Sequence, residues 1–272
     1  MINIKPFKAV RPDRKFVEQF VVPPYDVLSH EDCIALLKKN PDSFIRVTRS
    51  EVEFEGINPY DPKVYDRARA NLIDFINRGI IKQDNTPSIF VYEQTQNGRV
   101  QTGFVAGTSI EDYKNGKIKR HEKTRQEKEE DRVRHIKTTM AHTEPAFMIY
   151  KSQPDLDSIL IDTTRKPVEY DFSTDDGVRH RYWIIDNQET INQIVEGFKS
   201  VESIYIADGH HRSQSSFLVG DSADDSENEK KYFPSVIFPD NCLSIIAYNR
   251  AVKDLNGMTT AEFINKLEDR YR

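Results

Sequence analysis

The sequence has few cysteines and lacks any long apolar run. Its 272 residues include two cysteines, Cys33 and Cys242, which lie far apart and form no CxxC pair. A disulfide framework is therefore not expected, and reduced thiols in a cytoplasmic protein are the simplest interpretation. No apolar run in the sequence approaches the roughly 20 residues that a membrane-spanning helix needs. The first residues also lack the apolar core of a secretory signal, so we expect no membrane partner.

The charge balance and the missing motifs exclude several classes of function. The chain has 39 Lys and Arg against 44 Asp and Glu, which gives a formal charge of −5. A net acidic chain has no general attraction to DNA, RNA or anionic membranes, so nucleic acid is not an expected partner. The sequence has no GxxxxGK[ST] phosphate loop, no kinase HRD or DFG motif, no GxSxG elbow and no HExxH zinc motif. A standard P-loop or protein-kinase-fold enzyme is therefore excluded.

The sequence does contain a mixed series of helix and strand patterns. Apolar residues at helical spacing predict a helix over 62–80, and a second amphipathic helix is predicted over 189–198. Asn97-Gly98 is a strong hairpin signal between strands predicted over 88–93 and 103–108. Further short strands are predicted over 43–47, 146–150, 168–172, 179–185, 203–207, 233–238 and 244–248. This order predicts an α+β fold with a mixed sheet rather than a regular βαβ alternation.

The most informative segment is Asp208-Gly209-His210-His211-Arg212, which follows a short apolar strand and precedes a predicted helix. Glycine allows a close backbone approach, and the free N–H groups of a helix N-terminus suit an anion such as phosphate. Arg212 and the histidines add donors for phosphate oxygens, and Asp208 is placed to hold a metal ion or a nucleophile. The simpler alternative is that Asp208 caps the helix while the next side chains face water. Zinc is disfavoured, because neighbouring histidines on a helix do not face one point.

A second charged segment runs from Lys119 to Arg125 and places Glu122 among at least four basic residues. Thr124 and Glu127 have the spacing of a capping box, which predicts a helix start here. Four basic residues then fall three or four positions apart and predict a basic helical face: Arg125, Lys128, Arg132 and His135. Acidic residues are interleaved with them, so an exposed salt-bridged helix is the alternative, and spacing alone favours that alternative.

The turn Pro23-Pro24-Tyr25-Asp26 carries a weaker signal. Its prolines restrict the backbone, and it presents a polar end. Structural packing is the default interpretation of such a turn. Trp183 is likewise interpreted as a core residue rather than as a ligand-stacking residue.

Several segments together resemble a known family. The sequences FKAVRP, PPYDVLS, NPDSFIRVTRSE, VYEQ, EDYKNGKIKRHEKT, ADGHHR and VKDLNG resemble, in this order, the domain of unknown function 1015 family along essentially the whole chain. The KRHE and DGHHR segments are also similar to the core motifs of free serine kinases of the SerK and SbnI type. Those kinases have the ParB/sulfiredoxin fold.

The resemblance implies a cytoplasmic enzyme that phosphorylates free L-serine to O-phospho-L-serine, with ATP or ADP as donor and Mg²⁺ as cofactor. It implies that Glu122 and Asp208 are the catalytic acids. In the mechanism that we expect, Asp208 either orients the serine hydroxyl or holds the Mg²⁺ ion. Arg120 stands where the kinase motif has proline. The resemblance assigns binding of the nucleotide phosphates to Gly209, His210, His211 and Arg212. Further candidates for nucleotide and phosphate binding are Lys119, His121 and Thr124. Additional candidates for substrate or phosphate contacts are Arg125, Arg132 and His135.

The resemblance also predicts how the chain is divided. An N-terminal α/β subdomain is expected over 1–110, and a ParB/sulfiredoxin-like nucleotide-binding catalytic domain over 111–272. The long separation of Glu122 from Asp208 predicts an inserted hairpin or subdomain between them. Family members continue past the VKDLNG segment, so we expect this chain to be either a truncated member that lacks a C-terminal part of the catalytic domain or a short form of the family.

Two other functions compete with the kinase. A ParB-like nucleotide-binding regulator or DNA-binding protein without kinase activity is the main alternative, and it predicts strongly salt-dependent DNA affinity. The acidic charge balance argues against the DNA-binding form of this alternative. A sulfiredoxin-like reductase is disfavoured, because His210 stands where that activity needs a reactive cysteine.

Overall fold

The computed structural model describes residues 1–224, 226, 228–244, 249 and 251–271. The strands are β1 (Ile4–Lys5), β2 (Val10–Pro12), β3 (Ile81–Gln83), β4 (Ile89–Gln96), β5 (Arg99–Ser109), β6 (Ile118–Lys119), β7 (Ala146–Tyr150), β8 (Tyr170–Ser173), β9 (Arg179–Ile185), β10 (Ile204–Asp208) and β11 (Tyr232–Pro239). The α-helices are α1 (Val17–Phe20), α2 (His30–Lys39), α3 (Ile45–Thr48), α4 (Pro62–Asn77), α5 (Ile110–Lys114), α6 (Gln126–Thr139), α7 (Pro154–Thr164), α8 (Gln188–Lys199), α9 (His210–Asp221) and α10 (Thr260–Tyr271). Across these residues, no helix has the length and apolar character to cross a membrane.

Within the described residues, a mixed sheet of nine strands forms the centre of the fold. Its strands follow the order β6-β10-β7-β11-β5-β4-β9-β8, and β1 pairs with β5 outside this path. The β6–β10 and β7–β11 pairs are parallel, and the other pairs are antiparallel. β2 and β3 form a separate antiparallel pair. The structure therefore confirms a fold of helices and strands around a mixed sheet.

The β4–β5 hairpin forms where the sequence predicts it. Asn97 and Gly98 have φ angles of 51° and 76°, the positive values that a two-residue type I′ turn requires. β5 then continues and pairs with β4, β11 and β1 along different parts of its length. The sheet consequently includes strands from both sides of residue 110, and the domain boundary at that residue stays a prediction.

The main hydrophobic core lies between α7, α8 and one face of the sheet. Leu156 of α7 and Phe198 of α8 pack in the same cluster as Trp183 of β9, and all three side chains are buried. Phe90 and Val105 point to the opposite face, in agreement with the two-residue period of a strand, and belong to a second cluster. Complete burial of one such side chain stabilises the fold by about 1.5–3 kcal/mol.

The strand predicted over 43–47 is wrong, because this segment contains the short helix α3. Ile45 packs with Cys33, whereas Val47 packs with Phe75 in a different cluster. In a strand, residues 45 and 47 would face the same side and could not serve two clusters. Short apolar runs fit either a strand or a buried helix, and here tertiary packing decides.

The helix start predicted at Thr124 is also wrong in detail. α6 begins at Gln126 with Arg125 as its N-cap, and the Thr124 hydroxyl donates to a carboxylate oxygen of Glu129 instead of capping the helix. The other predicted helices and strands form within a few residues of their expected bounds, except that residues 245–248 of the last predicted strand lie outside the described residues. Both cysteines are free thiols.

Candidate functional site

Gly209 forms the turn between β10 and α9. Its φ of 88° and ψ of 36° lie in the left-handed region, which glycine adopts at little cost. A Cβ atom at this position would lie 3.0 Å from Cζ of Arg212 and 3.4 Å from Cα of Ala146. The turn therefore requires glycine both for its backbone conformation and for its close contacts.

The loop between β6 and α6 lies against this turn. The backbone N–H of His121 donates to Nε2 of His210 at 3.4 Å, and the backbone N–H of Arg125 donates to Nε2 of His211 at 3.1 Å. The rings of His121 and His210 meet edge to face, with centroids 4.4 Å apart. Both histidines of the turn thus fix the loop through their Nε2 acceptors.

These hydrogen bonds define the tautomer of His210. A neutral imidazole that accepts at Nε2 carries its proton on Nδ1. Nδ1 lies 3.6 Å from Oε2 of Glu122. Burial lowers the pKa of His210, with a further lowering from His121 and opposite contributions from Glu122 and Asp208. The neutral ring therefore presents its N–H group to the Glu122 carboxylate.

The loop and the turn together border a cleft of about 240 Å³. Glu122 and Asp208, the two predicted catalytic acids, both line it, and their side chains are 62% and 61% exposed. The complete set of lining residues is Tyr25, Asp26, Glu122, Arg125, Asp208, Gly209, His210, His211 and Arg212. The structure thus brings together most of the predicted site residues from two separate segments of the chain.

Two helices begin at this cleft, with Arg125 as the N-cap residue of α6 and Gly209 as the N-cap residue of α9. Among the described residues, neither helix has a side-chain cap, whereas Ser29 caps α2 and Asn187 caps α8. The first N–H groups of a helix carry a partial positive charge and remain available when no side chain caps them. The cleft therefore has the backbone features of an anion site.

Arg125 adds a full positive charge to the same cleft. Its guanidinium is exposed and makes no ion pair with any residue that the structure describes. An arginine without a protein partner can bind phosphate oxygens through two parallel hydrogen bonds. Arg125 is thus the side chain best placed to hold an anionic group here.

Arg212 has a different role in the structure. It is buried, its Nη1 donates to the carbonyl of Pro145 at 2.5 Å, and its Nη2 donates to Oδ2 of Asp208. Its Nε has no hydrogen-bond partner among the described residues. Two of the three guanidinium nitrogens therefore hold Asp208 and the turn in place.

Arg132 and His135 do not line the cleft, although the basic helical pattern includes them. Both are buried in α6: Arg132 Nη2 lies 2.9 Å from Asp131 Oδ2, and His135 Nε2 donates to the carbonyl of Val47 at 2.8 Å. Burial lowers the pKa of His135 to about 4. Of the predicted basic helical face, Arg125 therefore lines the cleft, whereas Arg132 and His135 lie in the protein interior.

Lys119, His121 and Thr124 lie beside the cleft without lining it. Lys119 is exposed on β6, and His121 contacts the turn through its backbone and ring. Thr124 donates its hydroxyl to Glu129. Their assignment to nucleotide binding stays a prediction that depends on the family resemblance.

Sequence reasoning missed Tyr25 and Asp26, whose turn it assigned to structural packing. Tyr25 is buried, but it lines the cleft together with Asp26. The backbone N–H of Tyr25 donates to Oε1 of Glu144 at 2.6 Å, so the turn is attached to a residue far along the chain. The local sequence indicates only a restricted turn with a polar end, and this pattern does not reveal the long-range contact with Glu144.

The arrangement of acids bears on metal binding. In the described parts of the chain, no group of three or more His, Cys, Asp or Glu side chains is arranged to hold a metal ion. Mg²⁺ bound with a nucleotide needs only one or two carboxylates, because phosphates and waters supply its remaining ligands. Asp208 fits this requirement, since it is exposed and Arg212 binds its Oδ2 alone.

Comparison with known proteins identifies the family. The model of a family described as "Protein of unknown function (DUF1015)" matches residues 4–272, so the chain belongs to this family. No curated protein and no solved structure gives a significant match to the chain. The predicted family membership is therefore confirmed.

Proposed function

For this member of the DUF1015 family, we propose a kinase that transfers a phosphoryl group from ATP or ADP to the hydroxyl of free L-serine. The observation that carries the proposal is the single cleft that both Glu122 and Asp208 line at the starts of α6 and α9. Carboxylates beside an anion site are the groups that phosphoryl transfer to a hydroxyl requires. Serine as the acceptor rests on the likeness of the KRHE and DGHHR segments to free serine kinases.

The nucleotide binds through its phosphates at the two helix starts. The backbone around Gly209 allows a close approach, and the guanidinium of Arg125 supplies a charge that is not already paired among the described residues. Asp208 would hold the Mg²⁺ ion, which when bound neutralises part of the phosphate charge. Arg212 keeps Asp208 in position through its Nη2 donor.

Glu122 acts as the general base. As the serine oxygen attacks the terminal phosphorus, Glu122 accepts the hydroxyl proton and a new O–P bond forms. The bond between phosphorus and the bridging oxygen breaks, and its electron pair leaves with the nucleotide. The products are O-phospho-L-serine and a nucleotide shortened by one phosphate. His210 orients Glu122 through the Nδ1–H that faces it at 3.6 Å.

We further propose that β6, β7 and β10, with α6 and α9, form a core of the ParB/sulfiredoxin type. The KRHE segment begins at the last residue of β6 and the DGHHR segment begins at the last residue of β10, and these strands are parallel neighbours. This adjacency supports the proposal, because both motifs then lie at the same edge of the sheet.

The direct test is phosphorus NMR of the purified protein with ATP or ADP, Mg²⁺ and a panel of small amino acids. We expect phosphoserine to form, and the nucleotide product identifies the donor. Nucleotide binding without phosphoryl transfer to any acceptor would instead favour the ParB-like regulator. A gel-shift assay with DNA at low and moderate salt would then test the DNA-binding form of that alternative.

A further inference from the structure

The turn that carries Asp26 is held firmly against the rest of the protein. The backbone N–H of Tyr25 donates to Oε1 of Glu144 at 2.6 Å, and its carbonyl accepts from Nη1 of Arg49 at 2.8 Å. The guanidinium of Arg132 lies over the Tyr25 ring, 4.2 Å from its centroid. The backbone N–H, the carbonyl and the ring of Tyr25 are therefore all held by contacts. These contacts restrict the position of the next residue, Asp26.

Asp26 itself is left without a protein partner. It is exposed, it lines the cleft, and it makes no hydrogen bond or ion pair with the residues that the structure describes. A structural role would use its carboxylate, as Glu144 is used to hold Tyr25. A carboxylate fixed in position without a partner is instead available to a ligand.

The charges of the cleft indicate what that ligand is. Glu122 and Asp208 already have roles in the proposed function, and Arg125 and the helix starts bind the anionic donor. Asp26 is the remaining acid of the lining set. A free amino acid carries one cationic group, its α-ammonium, which would need an anionic partner in the cleft.

We infer that Asp26 binds the α-ammonium group of the amino-acid substrate, an inference that rests on the proposed function. It makes Asp26 the residue that distinguishes an amino acid from a hydroxy acid with the same hydroxyl and carboxylate. A hydrogen bond to a charged group contributes enough to change affinity by about 10- to 100-fold. Loss of the Asp26 charge should therefore weaken binding of L-serine by that factor.

The test compares Asp26→Asn with the wild type and with Asp66→Asn, which removes an exposed carboxylate from α4 outside the cleft. Calorimetry measures the binding of L-serine and of L-glycerate, which lacks the ammonium group, with Mg²⁺ and a non-hydrolysable ATP analogue present. We expect Asp26→Asn to lose serine affinity and to keep its affinity for glycerate and for the analogue. Asp66→Asn should match the wild type throughout.

The outcomes separate this inference from the proposed function. Unchanged serine affinity in Asp26→Asn would overturn the role of Asp26, even if the wild type forms phosphoserine. An equal loss of affinity for serine and glycerate would also overturn it, because a general disturbance of the cleft would then explain the effect. A wild type that binds serine but transfers no phosphate would refute the kinase and leave the binding result interpretable. A wild type that binds no serine would refute both.

Discussion

Nδ1 of His210 lies 3.6 Å from Oε2 of Glu122, although the two residues come from segments far apart in the chain. The other ring nitrogen of His210 accepts the backbone N–H of His121, so the proton of the neutral ring is on Nδ1. In the proposed mechanism, the histidine therefore positions Glu122. The family resemblance implies instead that His210 binds phosphate. Its Nε2 is not free for that contact, because it already accepts a hydrogen bond from the loop between β6 and α6.

The first prediction concerns Glu122 as the general base. Glu122→Gln keeps the size of the side chain but cannot accept the serine proton, so kcat should fall about 10²- to 10⁴-fold while nucleotide affinity is retained. Glu127→Gln, exposed in the first turn of α6, is the matched control and should retain full turnover. Steady-state kinetics with serine decides, and near wild-type turnover of Glu122→Gln would remove it from this role.

The second prediction tests the coupling of His210 to Glu122. His210→Ala should lower kcat, because the carboxylate loses the N–H that orients it. In the Glu122→Gln background the same change should cost little more, since residues that act as one unit are not additive. Independent, additive losses in this double-mutant cycle would contradict the coupling. His30→Ala, exposed on α2, controls for removal of a histidine.

The third prediction concerns the cation of the anion site. Arg125→Gln removes the guanidinium that has no ion pair among the described residues, so nucleotide affinity should fall about tenfold or more. Arg134→Gln, farther along α6 and paired with Glu130, should leave nucleotide affinity unchanged. Fluorescence titration with ATP and ADP measures both variants. Equal effects of the two substitutions would indicate a general loss of positive charge.

The fourth prediction separates backbone strain from crowding at Gly209. Gly177 also has a positive φ of 79°, but a Cβ there would meet no atom of the described structure within 4 Å. Gly177→Ala should therefore cost the left-handed conformation alone, about 1–2 kcal/mol of unfolding free energy. Gly209→Ala should cost more and weaken nucleotide binding, because its Cβ would approach Arg212. Urea unfolding compares the two, and equal losses with intact nucleotide binding would refute the close-contact argument.

The fifth prediction is a loss of stability in mild acid. Burial lowers the pKa of both His135 and His142 to about 4, below the unfolded value of about 6.5. Their contribution to stability is fully present above the unfolded pKa and is lost as pH falls from about 6.5 to 4. Each histidine adds up to about 1.4 kcal/mol per pH unit to the slope in this range. Glu144, whose pKa burial raises, contributes in the opposite direction.

Urea unfolding between pH 7 and pH 4.5 measures this slope. His142→Asn should flatten it, because a neutral side chain then replaces the group that must be protonated on unfolding. His180→Asn is a useful comparison and should also flatten the slope, since burial lowers the pKa of His180 too. An unchanged slope in His142→Asn would show that another group controls the acid sensitivity.

Local signals predicted much of the fold. The Asn97-Gly98 turn and the strands around it depend on short-range backbone preferences, and they form as expected. The segment 43–47 was mispredicted because its apolar residues fit a strand equally well, and only the two clusters that receive Ile45 and Val47 decide for a helix. The register of strand pairing across the large sheet also depends on tertiary contacts, so local sequence patterns do not predict it.

The candidate site was predicted in part for the same reason. The DGHHR turn has a local signature in its glycine, and Gly209 indeed lies at the junction of a strand and a helix. Asp26 has no such signature, because its position depends on contacts of Tyr25 with residues far away in the chain. The burial of Arg132 could not be predicted either, since a periodic charge pattern does not distinguish a solvated face from an interior ion pair.

The position of β10 between β6 and β7 has a consequence for synthesis of the protein. Glu122 leaves the ribosome well before Asp208, and the intervening chain contains α6, β7, α7, the β8–β9 pair and α8. Only when β10 has emerged can it insert beside β6 and complete the cleft. A ligand of this cleft would therefore protect the finished protein against proteolysis but give no help to the growing chain.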